Sequence, residues 1–371
     1  MRPANNGLLT ILREDSAGIY VYRLQELLWF TETNRNWGLG IVENRQVRTG
    51  GTQQQSNAYY QIQPLGSPFA VKPPVLIPHG PQLRPYLSWT PPTFTGGPLD
   101  CHAQDFLAVD WFRREQEHED SANVDAAIFM AKNIDGSYSV QHSPTTPSVI
   151  ERLFFGPECI WRDDYVTLKT HEGILVQVIQ RIIPAQPRPP SQTPSSSPPP
   201  LFLLQGFTLT LNTDPSFFPD KTWSPARHPR LQKELAFFHS HLPPSSSPAK
   251  WTLVEPRSQY GIADVKGRWY GMHEIGHLLG PELLARLESD RALGRVTHAS
   301  RALNDRGVDS LRPALDGLGR FFPTRRAVSA EAFVAPVGGP AGRHPYSAQA
   351  LAGNGAALMV SESNLRVYKA E

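Results

Sequence analysis

Hydrophobic and polar positions alternate in short bursts along this chain, and runs rich in proline, glycine and serine separate the bursts. Alternation with period two marks a strand with one buried face, and spacing of three and four marks a helix. Residues 18–30 (GIYVYRLQELLWF) begin with branched and aromatic alternation and end nearer to helical spacing, which predicts a strand running into a short helix. Residues 37–42 (WGLGIV) and 59–63 (YYQIQ) read as strands. Between them, 44–57 carries Gly50, Gly51, Gln53, Gln54 and Gln55 and reads as an exposed loop. From 64 to 98 the many prolines remove backbone donors and fix φ, so neither a helix nor a central strand can run through. Within that stretch, 83–91 (LRPYLSWTP) is expected to lie extended across a domain surface, anchored by Tyr86, Leu87 and Trp89.

Residues 105–115 and 126–132 are further element candidates, and Asp135 with Gly136 reads as a hairpin turn leading into 137–140. The clearest β region is 152–155, 165–169, 174–183 and 201–211, rich in branched and aromatic side chains. The proline- and serine-rich run 184–200 must be a loop between two of those strands, since loop closure cost grows slowly with length. Residues 229–241 and 281–293 start with proline and carry helical spacing, which predicts two helices. A second linker surrounds 245–247, a short strand follows at 251–254, and 318–371 is expected to be largely mobile. The fold class this predicts is α+β, mostly β: a small curled sheet or barrel with proline-rich loops and a few helices. The expected units are a β-containing region 1–98, a small α+β segment 99–150, a β-rich domain 151–295 with a disordered loop at 184–200, and a largely disordered tail 296–371.

Composition supports globular blocks joined by proline-rich connections. Of 371 residues 36 are proline, about twice the usual share, yet 40% are apolar, enough for real cores. The formal net charge of +2 excludes nucleic-acid binding through bulk charge, leaving only a local basic face for DNA. Cys101 and Cys159 are too few for a disulfide framework or an all-thiolate zinc site. The opening residues lack an apolar core of signal-peptide length and no apolar run is long enough to span a membrane, so a soluble intracellular chain is expected.

One motif carries candidate chemistry. His273, Glu274, Ile275, Gly276 and His277 form HExxH; on a helix the two histidines lie one turn apart and can ligate zinc, with Glu274 as base on metal-bound water. The context opposes this. Leu283 stands where metzincin peptidases place a third histidine, Gly267 and Gly271 weaken a helix leading into His273, and Gly280–Pro281 looks like a new helix start. Glu282, Glu288 or Glu331 could supply the missing ligand, and Met359 faintly echoes a Met-turn, without the sequence choosing among them. The leading expectation is therefore no catalytic residue, no cofactor and no metal, with the histidines as packing or surface residues. The alternative is a zinc peptidase using His273 and His277 as ligands and Glu274 as base. Asp163 and Asp164 read as a solvated turn rather than a carboxylate pair. Arg113 with Arg114 and Arg325 with Arg326 read as solvated charge, and Trp89, Trp111, Trp161 and Trp269 as core residues rather than a methyl-lysine cage. Neither a nucleophile elbow nor a phosphate-binding glycine loop is present.

Several segments in order resemble the cryptic loci regulator 2 family of fungal transcription-silencing proteins. They are WGLGIV at 37–42, YYQIQPLGSPF at 59–69, LRPYLSWTPP at 83–92, LFFGPECIWRDDYVTLK at 153–169, ILVQVIQRII at 174–183, LFLLQGFTLTL at 201–211 and GRWY at 267–270. These are packing and strand motifs, so their specificity lies in order and combination. The resemblance implies a non-enzymatic nuclear scaffold, a subunit of a nucleosome-remodelling and histone-deacetylase repressor complex. It implies a bromo-adjacent-homology-like β domain and a region compared to methyl-CpG-binding modules. The implied partners are silencing-complex protein subunits and, further, nucleosomal DNA or histone, with no membrane and no small-molecule substrate. The 184–200 insertion and the HEIGH segment are not features of the family, and no functional residue carries over one by one.

Overall fold

The computed structural model of the chain describes residues 15, 20–31, 37–47, 58–66, 68–69, 72–86, 94–99, 106–117, 121–143, 146, 148–169, 175–184, 202–212, 228–241, 249–275, 304 and 320–321. Two sheets dominate. The first holds β1 (Leu27–Phe30), β2 (Gly38–Val47), β3 (Ala58–Pro64), β4 (Val75–Pro78) and β5 (Leu83–Pro85), antiparallel in the order β4-β3-β2-β1-β5. The two strands from the proline-rich stretch hold the two edges, where Pro78 and Pro85 interrupt no central ladder. Thus 83–85 joins the sheet as a strand, while 87–91 lies outside the described residues.

Two expectations fail in this sheet. The helix predicted at the end of 18–30 is instead β1, because Gln25 has a φ of 68° and the Arg23 N–H is taken by the Glu26 carboxylate. Residues 44–47, expected in a loop, extend β2 and pair with 58–61; their ladder forms without apolar alternation because that end is half exposed. The rest of the predicted loop, 48–57, lies outside the described residues. Every residue of β1 is buried because both faces are covered. Leu28 and Phe30 face the second sheet. Leu27 and Trp29 pack toward helix α2 (Ser121–Asp135), which follows the short α1 (Trp111–Glu117).

The second sheet contains β6 (Ser137–His142), β7 (Ile150–Phe155), β8 (Glu158–Trp161), β9 (Tyr165–Leu168), β10 (Leu175–Pro184), β11 (Phe202–Asn212), β12 (Lys250–Gly261), β13 (Val265–Arg268) and β14 (Arg320–Phe321). Its main path runs β12-β11-β10-β7-β6-β14, with β8 on β7 and β9 between β10 and β13. All pairs are antiparallel except β14 on β6. One edge of β10 serves β9 near Val176–Val178 and β7 at Ile182, so the sheet curls around Leu153, Ile160, Val166, Ile179, Leu204 and Val265 without closing into a barrel. A Cβ on Gly206 would lie 1.8 Å from the Val178 carbonyl oxygen, so glycine is what lets β11 pass the irregular turn of β10.

The mostly-β class and the strands of the 152–211 region are as the pattern predicts. Asp135 and Gly136 do not make a hairpin: α2 runs to Asp135, and Gly136 N–H closes on Lys132 O at 3.0 Å. The tight turn of this region is Gly156 and Pro157, with φ 58° at Gly156, between paired Phe155 and Glu158. The ladder of β10 and β11 ends at Pro184 paired with Phe202, so the first residue of the proline- and serine-rich run closes β10, and 185–200 lie outside the described residues. Helix α3 (Pro229–His241) forms as predicted, and a single helical turn, α4 (Met272–Ile275), carries the start of the HExxH segment. The helix expected at 281–293 lies outside the described residues. Within the stretch expected to be mobile, Arg320 and Phe321 pair with Ser137 and Tyr138.

Candidate functional site

The segment before β1, the turn before β9, helix α3 and the turn α4 converge at the seam between the two sheets. Around them lies an apolar cluster that includes Tyr60, Val178, Leu231, Phe238, Trp251 and Trp269. A row of charged side chains runs through it. Arg23 donates through Nη1 to Asp164 Oδ2 and through Nη2 to Asp164 Oδ1 at 2.7 Å, and also reaches the Cys159 carbonyl at 2.7 Å. Asp164 accepts from the Trp161 backbone N–H and, at 3.4 Å, from Arg230. Arg230 in turn grips Glu274 bidentately, at 2.7 and 2.8 Å. Beside this row, Arg268 donates to Glu26 at 2.7 Å and to the Val21 carbonyl at 3.0 Å, while Glu26 accepts from Cys159 N–H. Asn304 closes the group, bonding both backbone groups of Tyr270.

These charges lie in apolar surroundings, where an unpaired ion would cost several kcal/mol, on the order of what removing one partner of a pair costs. Pairing sets their protonation. Burial would raise the Glu274 carboxyl, but the Arg230 guanidinium outweighs it and holds the group at about 2. Asp164 likewise is pushed up by burial and pulled below its ordinary value by Arg23 and Arg230. Glu26 goes the other way: burial dominates over Arg268 and Arg23, and its value is raised. Burial also drives the Cys159 thiol to about 12, which makes it unreactive.

The HExxH residues occupy this seam. His273 Nδ1 lies 2.9 Å from Glu234 Oε2, which also accepts the His273 backbone N–H at 3.2 Å. A Cβ on Gly271 would lie 2.6 Å from the imidazole and 2.9 Å from Glu234 Oε2, so this glycine makes room for the pair. His273 Nε2 is sealed without a hydrogen-bond partner, 3.9 Å from Glu274 Oε1. His277, Glu282, Leu283, Glu288, Glu331 and Met359 lie outside the described residues. Among the described residues, no group of three or more His, Cys, Asp or Glu side chains could hold a metal ion.

The other sequence candidates divide. Asp163 and Asp164 were expected in a solvated turn; Asp163 is exposed with φ 66°, but Asp164 is buried and is the centre of the network. Its burial follows from the turn, which directs alternate carboxylates to opposite sides. Trp111, Trp161 and Trp269 are 3%, 3% and 0% exposed, as core tryptophans, and Trp89 lies outside the described residues. Arg113 makes an exposed pair with Glu117, whereas Arg114 turns inward onto Asp125. Sequence reasoning missed Arg23, Glu26, Arg230, Glu234 and Arg268. A signal was present: Glu234 sits three residues after Leu231 and four before Phe238, on the buried stripe of α3. Arg23 and Arg268 similarly interrupt apolar runs, at YVYRL and GRWY.

No model of a known protein family matches the chain, and no curated protein matches it. Among solved structures, that of Clr2 bound to the Clr1 C-terminus aligns with a TM-score of 0.47 and 12% sequence identity, over 89% of this chain and 62% of that one. The chain thus spans less than two thirds of that protein's length.

Proposed function

We propose that the chain is a non-enzymatic scaffold of fungal heterochromatic silencing in the nucleus, docking partner protein subunits and, beyond them, nucleosomal DNA or histone. The sequence motifs shared in order with the cryptic loci regulator 2 family support the biological setting, including the bromo-adjacent-homology-like character of the curled sheet. The observation that carries the non-enzymatic part is the state of Glu274. A general base needs a free carboxylate with a value near the working pH, and here both oxygens accept from one buried guanidinium. Such a group ties helix α3 to the turn α4; it does not take up a proton from water.

The test pairs two measurements on the purified full chain. Elemental analysis is expected to find no stoichiometric zinc, and peptide hydrolysis to be absent in wild type and Glu274→Gln alike. A tagged chain is expected to co-purify histone-deacetylase activity from nuclei, with His273→Ala retaining it, and its deletion to derepress a silenced reporter. Stoichiometric zinc with cleavage abolished by Glu274→Gln establishes the peptidase instead.

A further inference from the structure

A sheet edge presents a row of backbone donors and acceptors, and this chain blocks most of its edges. Strands β4 and β5 end at Pro78 and Pro85. Strand β12 is broken by Pro256 and by two register shifts against β11. On β8 and β13 carboxylates take backbone donors, Glu26 that of Cys159 and Glu158 that of Arg268. Strand β6 is handled differently. Its outer side is met by β14, in which Arg320 pairs with Ser137 and Phe321 with Tyr138. That pairing is parallel, the less stable kind per residue, and it stops at Tyr138 while β6 continues to His142.

The ladder with β7 fixes where each backbone group of β6 points. Ser137 O accepts the Gly156 N–H at 2.9 Å and Ser143 N–H donates to Val149 O at 2.8 Å, so the odd-numbered residues bond toward β7. Alternation turns the N–H and C=O of Tyr138, Val140 and His142 outward, to the side that β14 occupies. Among the described residues, no strand pairs with Val140 or His142 there. From Ser137 to His142 there is neither a proline nor a lysine or carboxylate to repel an added strand. Tyr138 and Val140 share a face that packs with Phe202 against the interior of the curl, and Val140 is left half-buried. We propose that the β6 edge is a strand-addition site, where an extended segment of a protein partner displaces β14 and runs parallel to β6 past Val140 and His142. The seated β14 sets the direction and shows that this edge takes a strand from a remote part of the chain; Val140 calls for an apolar side chain beside it. Tethered through 305–319, β14 is a weak internal competitor that covers the edge until the partner replaces it. The proposal rests on the scaffold reading for the existence of a partner, but its test uses a synthetic strand, so failure of one is distinguishable from failure of the other.

The probe is the peptide LGRFFVTV, the sequence of 318–322 followed by Val-Thr-Val, which supplies the backbone donor that Pro323 lacks. Its control, LGRPPPTV, has no donors at the central positions. The full chain is used as wild type and with Arg320→Pro and Phe321→Pro together, which disables β14. Calorimetry is expected to show saturable binding of LGRFFVTV to the double-proline chain, about tenfold or more tighter than to wild type, because an occupied edge lowers the apparent affinity. The control peptide is expected not to bind. Hydrogen exchange on the wild-type chain reads the same site without any substitution. The Val140 N–H is expected to exchange faster than those of Ser139 and Gln141, and to become protected at saturating LGRFFVTV while those two do not change. No binding to the double-proline chain, equal affinity for the two chains, or a Val140 amide left unprotected overturns the proposal. Dimerisation of the double-proline chain without peptide overturns the choice of a foreign partner in favour of a second copy.

Discussion

The interior of the curled sheet and the seam between the sheets are both buried, and they are built on opposite terms. The curl is closed by Leu153, Ile160, Val166, Ile179, Leu204 and Val265, branched side chains that any neighbouring apolar group can satisfy. The seam depends on Arg23, Asp164, Arg230 and Glu274, each of which needs one particular partner at hydrogen-bond distance. Dispersion and burial are non-directional, so the first region tolerates exchange of like for like. Buried ions tolerate none, because the residual charge has nowhere to go. The lesson is that the seam specifies how the two sheets sit together, while the curl supplies bulk stability.

Arg230→Met is expected to break this contrast most severely. It strands Glu274 and weakens the hold on Asp164, costing about 3–5 kcal/mol in chemical denaturation. Adding Glu274→Leu to Arg230→Met is expected to recover part of that loss, and a double variant no better than the single one argues against a specific pair. Leu153→Ala, in the curl, is expected to cost about 3 kcal/mol through lost burial and a cavity. Unlike the seam variant, it should respond to a compensating larger neighbour.

Acid separates the two regions further. Glu274 has a depressed value in the folded chain, so its contribution is fully present above the ordinary 4.5 and is lost as pH falls through about 2. Denaturation of wild type minus Glu274→Gln between pH 6 and 2 is expected to reveal a fall on the order of 2 kcal/mol. Glu26, with its raised value, acts in the opposite sense: its contribution is present at low pH and declines as pH rises, which is why the difference between variants is the quantity to measure. Leu153→Ala leaves the pH dependence of wild type unchanged. At the small end, Arg162→Ala removes an exposed pair with Asp163 and is expected to shift stability by less than about 1 kcal/mol.

Alternation of branched and apolar residues determined, without any coordinates, that 152–155, 165–169, 174–183 and 201–211 are strands, and Pro229 with its following spacing determined helix α3. Prolines determined that neither a helix nor a central strand runs through 64–98, and the strands Val75–Pro78 and Leu83–Pro85 formed there lie at the sheet's edges. These follow because period and backbone chemistry are local properties of the chain. What HEIGH means was decided elsewhere. Glu274 is bound by an arginine 44 residues earlier in the chain, His273 by a glutamate 39 residues earlier, and Glu26 by an arginine 242 residues later. A charged residue in an apolar run announces that it needs a partner, but the partner's identity is set by which strands and helices meet. Electrostatic pairing acts across space, at a few ångströms, and only the packed chain brings those atoms within reach.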